Sequence, residues 1–147
     1  MAGRTGLAQS GNQDFIPLGT SINALMVALV DHSAHEIWEA GAAETLTGRD
    51  WQAIEQHAIQ LVASGTLVSL GGNGVADRGW VMAPAWQEWT QTMTEGALAA
   101  LEAVQDHDQD ALSDAGGMLV ESCEGCHRDF KPDVPTEGIM HIPHYDD

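Results

Sequence analysis

Apolar residues recur at steps of three and four along four stretches of the chain, the spacing that lines one face of an α-helix. The first predicted helix spans about 21–40 and carries Ile22, Leu25, Met26, Leu29, Val30, Ser33 and Ile37 on its stripe, with Gly41 as a stop. The second opens at Asp50, a residue suited to an N-cap, and places Trp51, Ile54, Ala58, Leu61 and Val62 on one side before Gly65. There the pattern lapses. Residues 65–83 include Gly71-Gly72-Asn73-Gly74 and Gly79, which predicts a long loop with a short strand or turn at 66–70.

Periodicity returns at Pro84, tolerated in a first helical turn, and carries Trp86, Trp89, Met93, Ala97, Ala100, Leu101 and Val104. After a short connection at Asp106-His107-Asp108, a fourth helix starts at Asp108 or Asp110. It bears Leu112, Ala115, Leu119, Ser122, Cys123 and Cys126, and runs to about Phe130, where Pro132 ends it. Four amphipathic helices, short-linked except in the middle, predict an all-α fold, an antiparallel four-helix bundle. The expected division is a disordered or cloning-derived start over 1–17, a helical domain over 18–131 and an extended tail over 132–147.

Composition sharpens this picture. At 147 residues and 44% hydrophobic, the chain suits one domain with a filled core. Five Lys and Arg against 22 Asp and Glu give a formal charge of −17. Such a field repels nucleic acid and anionic membranes and steers basic protein partners inward at low salt, although solubility alone also accounts for it. No run is long enough to span a bilayer. The apolar run 22–30 lacks a basic flank before it and a small-residue cleavage site after it, so it reads as a helix face and not as a signal segment.

The two cysteines allow a disulfide, a redox pair, half of a zinc site or one haem attachment. Spacing separates these. Cys123-Glu124-Gly125-Cys126-His127 is CxxCH, the pattern of covalent haem c attachment. On a helix, residues three and four apart share a face, so both thiols and the imidazole project together. The thiols would bond the porphyrin as thioethers and His127 would ligate the iron. Gly125, with Gly116 and Gly117 about two turns earlier, is expected to give the porphyrin room. The alternatives are thinner: a thioredoxin-like pair wants a βαβ context, and zinc wants two more ligands, for which His141 and His144 are available.

A lone CxxCH on the last of four helices, followed by Phe130 and Lys131, resembles the class II cytochromes c, the cytochrome c′ family. The resemblance spans roughly 20–131 as a pattern and is sharp only around the haem motif. It implies one covalent haem c, an exported bacterial protein in the periplasm, homodimers in many members, and Lys131 in the haem pocket where Arg is frequent. Haem attachment outside the cytoplasmic membrane also implies a leader that was cleaved or left out. The long Gly-rich middle and the Pro-rich tail depart from the family's minimal bundle.

In this family the first helix passes over the distal haem face, which points to Met26 as the sixth iron ligand. Thioether opposite imidazole raises the potential and suits electron transfer. Against this stand Met26 as plain core packing, His32 or His35 as a second imidazole, open five-coordinate iron, and Met140 or a tail histidine. Trp38, Trp51, Trp86 and Trp89 can wall a porphyrin or simply fill the core, and Trp80 can cap one end. Arg49 and Arg78 can pair with propionates, as can His57, though a half-exposed helix histidine fits His57 as well; His107 reads as solvated. Two functions follow: an electron carrier with His/Met iron docking a basic redox partner, or a five-coordinate protein binding NO or CO. Neither is an enzyme. A peroxidase would need a distal acid–base pair, and none is evident.

Overall fold

The computed structural model describes residues 14–133, and all regular structure among them is helical. The elements are α1 (Ile22–Leu25), a π-helical segment (Met26–Asp31), α2 (His32–Ala42), α3 (Gly48–Leu70), α4 (Asp77–Val81), α5 (Pro84–Gln105) and α6 (Gln109–Phe130). The first three follow one another without a break, so the predicted first helix is present with a wider turn inside it. No cue in the sequence marks that turn.

The second helix is longer than its pattern suggested. It begins at a capping box, in which the Asp50 N–H donates to the Thr47 hydroxyl (3.3 Å) and the Thr47 N–H donates to the Asp50 carboxylate (2.7 Å). Thr47 is therefore the cap, and Asp50 sits three residues inside. Gly65 does not stop the helix. A Cβ there would lie 2.1 Å from Thr94 Oγ1 and 3.2 Å from its Cβ on α5, so glycine serves close helix approach. The helix continues through the expected strand or turn at 66–70, and Gly71 follows its last residue.

The expected loop contracts to 71–83 and contains α4. Its organiser is Asp77, a carboxylate only 1% exposed. It accepts from the N–H of Ile22 (3.0 Å), at the start of α1, and from the N–H of Gly74 (2.7 Å). A Cβ on Gly72 would meet Asp77 Oδ2 at 2.2 Å, which explains a glycine at that position. The loop is tied back by the Asn73 N–H on the Thr20 carbonyl, and the segment before α1 by the Ile16 N–H on the Leu70 carbonyl.

α5 starts at Pro84 as the sequence predicts, and α6 starts after Asp108, whose side chain accepts from the Ala111 N–H at 2.9 Å. His107, between them, takes a left-handed backbone with φ 52°. α2 packs on α3 and α6, α3 on α5, and α5 on α6, so these four helices close a ring of contacts. Their inward stripes meet in one core that includes Ile37, Ala58, Leu61, Ala97, Leu112 and Leu119. Among the described residues no helix is long and apolar enough to cross a membrane.

Candidate functional site

The candidate ligands read from the sequence stand on the C-terminal turns of α6. Its stripe Leu112, Ala115, Leu119 and Ser122 is buried, and the Lys131 N–H closes the last turn on the His127 carbonyl at 2.8 Å. Cys126 and His127 line an apolar cavity of about 200 Å³. The opposite wall is the first helix, with Ile22, Asn23, Met26 and Val27. Trp80 of α4, Trp86 of α5, Phe130 and Lys131 complete it.

The aromatic wall is fixed from behind. The Trp86 indole N–H donates to the Val68 carbonyl at 2.8 Å, a bond buried between α3 and α5. Trp80 stacks on Trp86 with ring centres 5.4 Å apart and 13° between planes, and Phe130 meets Trp86 edge-on at 5.1 Å. Lys131 places Nζ 5.1 Å from the centre of the Trp80 ring, where its charge faces the ring's electron-rich side. Asn23 and Val27 are exposed at the mouth, Val27 by 61%.

Cys123, one turn before Cys126, is half-buried and outside the cavity lining. Burial pushes its thiol up to about 11, aided by the carboxylates of Asp31 and Glu124 and opposed by a hydrogen bond from Ser122. Burial likewise pushes the Cys126 thiol up to about 12, with Cys123 and Asp129 adding to it. Both are protonated at neutral pH. Reactive cysteines of redox CxxC pairs sit in electropositive surroundings that lower the pKa, the opposite of this environment. Among the described residues no three His, Cys, Asp or Glu side chains gather to hold a bare ion, and His141 and His144 lie outside the described residues.

Several expected participants are elsewhere. Gly125 faces away from the cavity: a Cβ there would strike the Trp89 ring of α5 at 2.2–2.5 Å, so its role is α5–α6 contact and not room for a porphyrin. Gly116 takes up Trp38, whose indole N–H donates to its carbonyl at 3.0 Å, whereas Gly117 has open space. Trp89 donates to Asp129 at 2.7 Å, and Trp51 stacks on His107 at 5.0 Å, so of the four proposed walls only Trp86 lines the cavity. Trp80, expected to cap an end, is the second indole there. None of His32, His35, His57 and His107 lines it. His35 pairs with Asp31 at 3.6 Å and touches Trp38. His107 is stacked as well as exposed, Arg78 lies over Phe15 at 5.5 Å, and neither Arg49 nor Arg78 lines the cavity. Met140 lies outside the described residues.

Sequence reasoning missed Ile22, Asn23 and Val27 as wall residues and Asp77 as the anchor that holds α1 in place. Asp77 had one available signal: a lone acid three residues after the Gly-rich run. The remaining donors fit the group that the motif implies. The Cys126 thiol and the His127 imidazole line the cavity with Cys123 one turn away outside its lining, a methionine thioether comes from the first helix, and the walls between are apolar and aromatic. The cavity is smaller than a whole porphyrin, and exposed Val27 is part of its lining. No family model, curated protein or solved structure matches the chain.

Proposed function

We propose that this chain is a mono-haem c-type cytochrome that carries electrons, with Cys123 and Cys126 holding haem c covalently, His127 on one side of the iron and Met26 on the other. One observation carries the reading: Met26, in the first helix, lines the same apolar cavity as Cys126 and His127 of α6. Periodicity could not favour that encounter over any other pairing of stripes. Met26 also opens the π-helical segment. Such wide turns occur often at functional sites, because they re-aim a side chain without breaking the helix.

When bound, the haem supplies a one-electron couple, and a thioether opposite an imidazole raises its potential. The protein's share is ligation, orientation and exclusion of water. His127 is set by a helix turn closed at Lys131. Met26 is set by α1, itself fixed through Asp77. Trp86, Trp80 and Phe130 offer a stiff apolar wall, while Lys131 brings one of the chain's five Lys and Arg residues to the rim. The ring of contacts among α2, α3, α5 and α6 supports an antiparallel four-helix bundle, and with the CxxCH motif and Lys131 it supports kinship with class II cytochromes c. The periplasm is then the compartment, a basic redox protein the partner of so acidic a surface, and a homodimer the family's habit.

Expression in a host able to attach haem tests the reading. The expected product keeps its colour through acid–acetone extraction and shows low-spin, six-coordinate iron; Met26→Ala turns it high-spin. Colourless or fully extractable protein removes the haem assignment. A low-spin spectrum unchanged in Met26→Ala removes Met26. High-spin iron in the unaltered protein with rapid CO binding favours the gas-binding alternative.

A further inference from the structure

We propose that His32 and His57 form a binding site for a divalent transition-metal ion, with Cu²⁺ the preferred occupant, on the outer side of α2 and α3. The two imidazoles come from different helices, and their ring centres lie 5.2 Å apart with planes at 68°. Two imidazoles on one ion, with metal–nitrogen bonds of about 2.0–2.1 Å, hold their ring centres roughly 4.5 Å apart at the right angle of tetragonal copper and about 5.2 Å apart as that angle opens toward a tetrahedral one. The observed spacing matches. His57 is half-buried, and among the described residues its Nδ1 is a buried nitrogen without a hydrogen-bond partner. His32 is exposed, so an ion can reach the pair from solvent.

The frame around the pair is ordered. One residue along α2, the Ser33 hydroxyl donates to the Gln60 side chain of α3 at 2.8 Å, which fixes the facing register of the two helices. Neighbouring His35 is engaged with Asp31 and Trp38 instead. No third His, Cys, Asp or Glu side chain among the described residues completes a cluster, so water fills the remaining coordination positions. Imidazole donors suit copper, nickel and zinc, and affinity among divalent ions peaks at copper. The strongly negative chain also concentrates cations at its surface. Neither histidine lines the α6 cavity.

The test is a Cu²⁺ titration of the full chain carrying His141→Gln and His144→Gln, which removes the tail's own histidines. One saturable ion is expected. It should broaden the imidazole proton resonances of His32 and His57 before those of His35 and His107, and raise the unfolding temperature, since an ion held only by the folded state stabilises it. His32→Gln and His57→Gln should each weaken binding at least tenfold and abolish the thermal shift. Absence of saturation, selective broadening at other histidines, or equal affinity in either variant overturns the site. His32 is exposed, so its replacement decides the matter even where His57→Gln fails to fold.

Discussion

The two ends of the helical assembly are built on different terms. At the end holding the α2–α3 and α5–α6 connections, each helix start is capped by its own neighbours, and one side chain ties the two connections together. Thr47 and Asp50 cap α3, Asp108 caps α6, and the Gln109 amide donates to the carbonyls of Ala40 and Ala43 at 2.9 and 2.6 Å. Trp51 and His107 stack flat against each other there. At the other end, α1 has its own cap, Ser21 accepting from the Ala24 N–H at 3.1 Å, and adds a carboxylate borrowed from Asp77, 55 residues away. The helix widens into a π segment, and aromatic rings surround a space instead of filling it. The comparison teaches that both ends draw on distant residues, but only the cavity end uses a buried carboxylate to hold a helix start in place beside a space left open.

Breaking the cavity end should cost most. Asp77→Ala strips the acceptor from two N–H groups, one of them at a helix start, for an expected loss of about 3 kcal/mol, since hydrogen bonds to a charged acceptor contribute roughly 1.5–3 kcal/mol each and buried donors left unmet add to the cost. Chemical denaturation measures it. In the haem-loaded protein the same change should also perturb the Met26 spectral signature, because α1 loses its anchor. A smaller penalty belongs to the shared helix contact: Gly125→Ala pushes a methyl into the Trp89 ring, and overpacking of this kind costs about 1–3 kcal/mol, readable as a lower unfolding midpoint with haem attachment retained.

The far end should yield least. Thr47→Ala removes one cap, worth about 1 kcal/mol, and should leave the haem spectrum untouched. It also carries a pH signature. The Thr47 hydroxyl first, and its backbone N–H second, hold the Asp50 carboxyl below its usual range. A carboxyl whose folded pKa is depressed stabilises the fold above its unfolded pKa, and that contribution fades as pH falls through the folded value. Denaturation curves taken from neutral to acidic pH should therefore be flatter in Thr47→Ala than in the unaltered chain.

Much of this was legible in local pattern. The four stripes located the long helices, although α3 runs six residues past its expected end, and Pro84, Asp108 and Pro132 marked boundaries because each acts on its own backbone. Errors gathered where a neighbour decides. Gly65 and Gly125 looked like a stop and a porphyrin allowance, yet both are shaped by side chains of α5, which no window around a glycine can see. The π segment left no trace, since an extra residue in a turn depends on what the helix faces. Trp80 and Trp86 could not be ranked above Trp38, Trp51 and Trp89, because all five are large and apolar, and only packing sorts a wall from a core.

The amino-acid order alone determined that the described chain is helical, where thiol, thiol and imidazole share a helix face, and that the whole is strongly acidic. Those properties follow from spacing and charge, which survive any arrangement of the helices. Which methionine, indoles and lysine meet that face was decided by tertiary structure. Their meeting depends on the order in which helices pack and on one buried carboxylate joining residues far apart in sequence, and periodicity is silent about both.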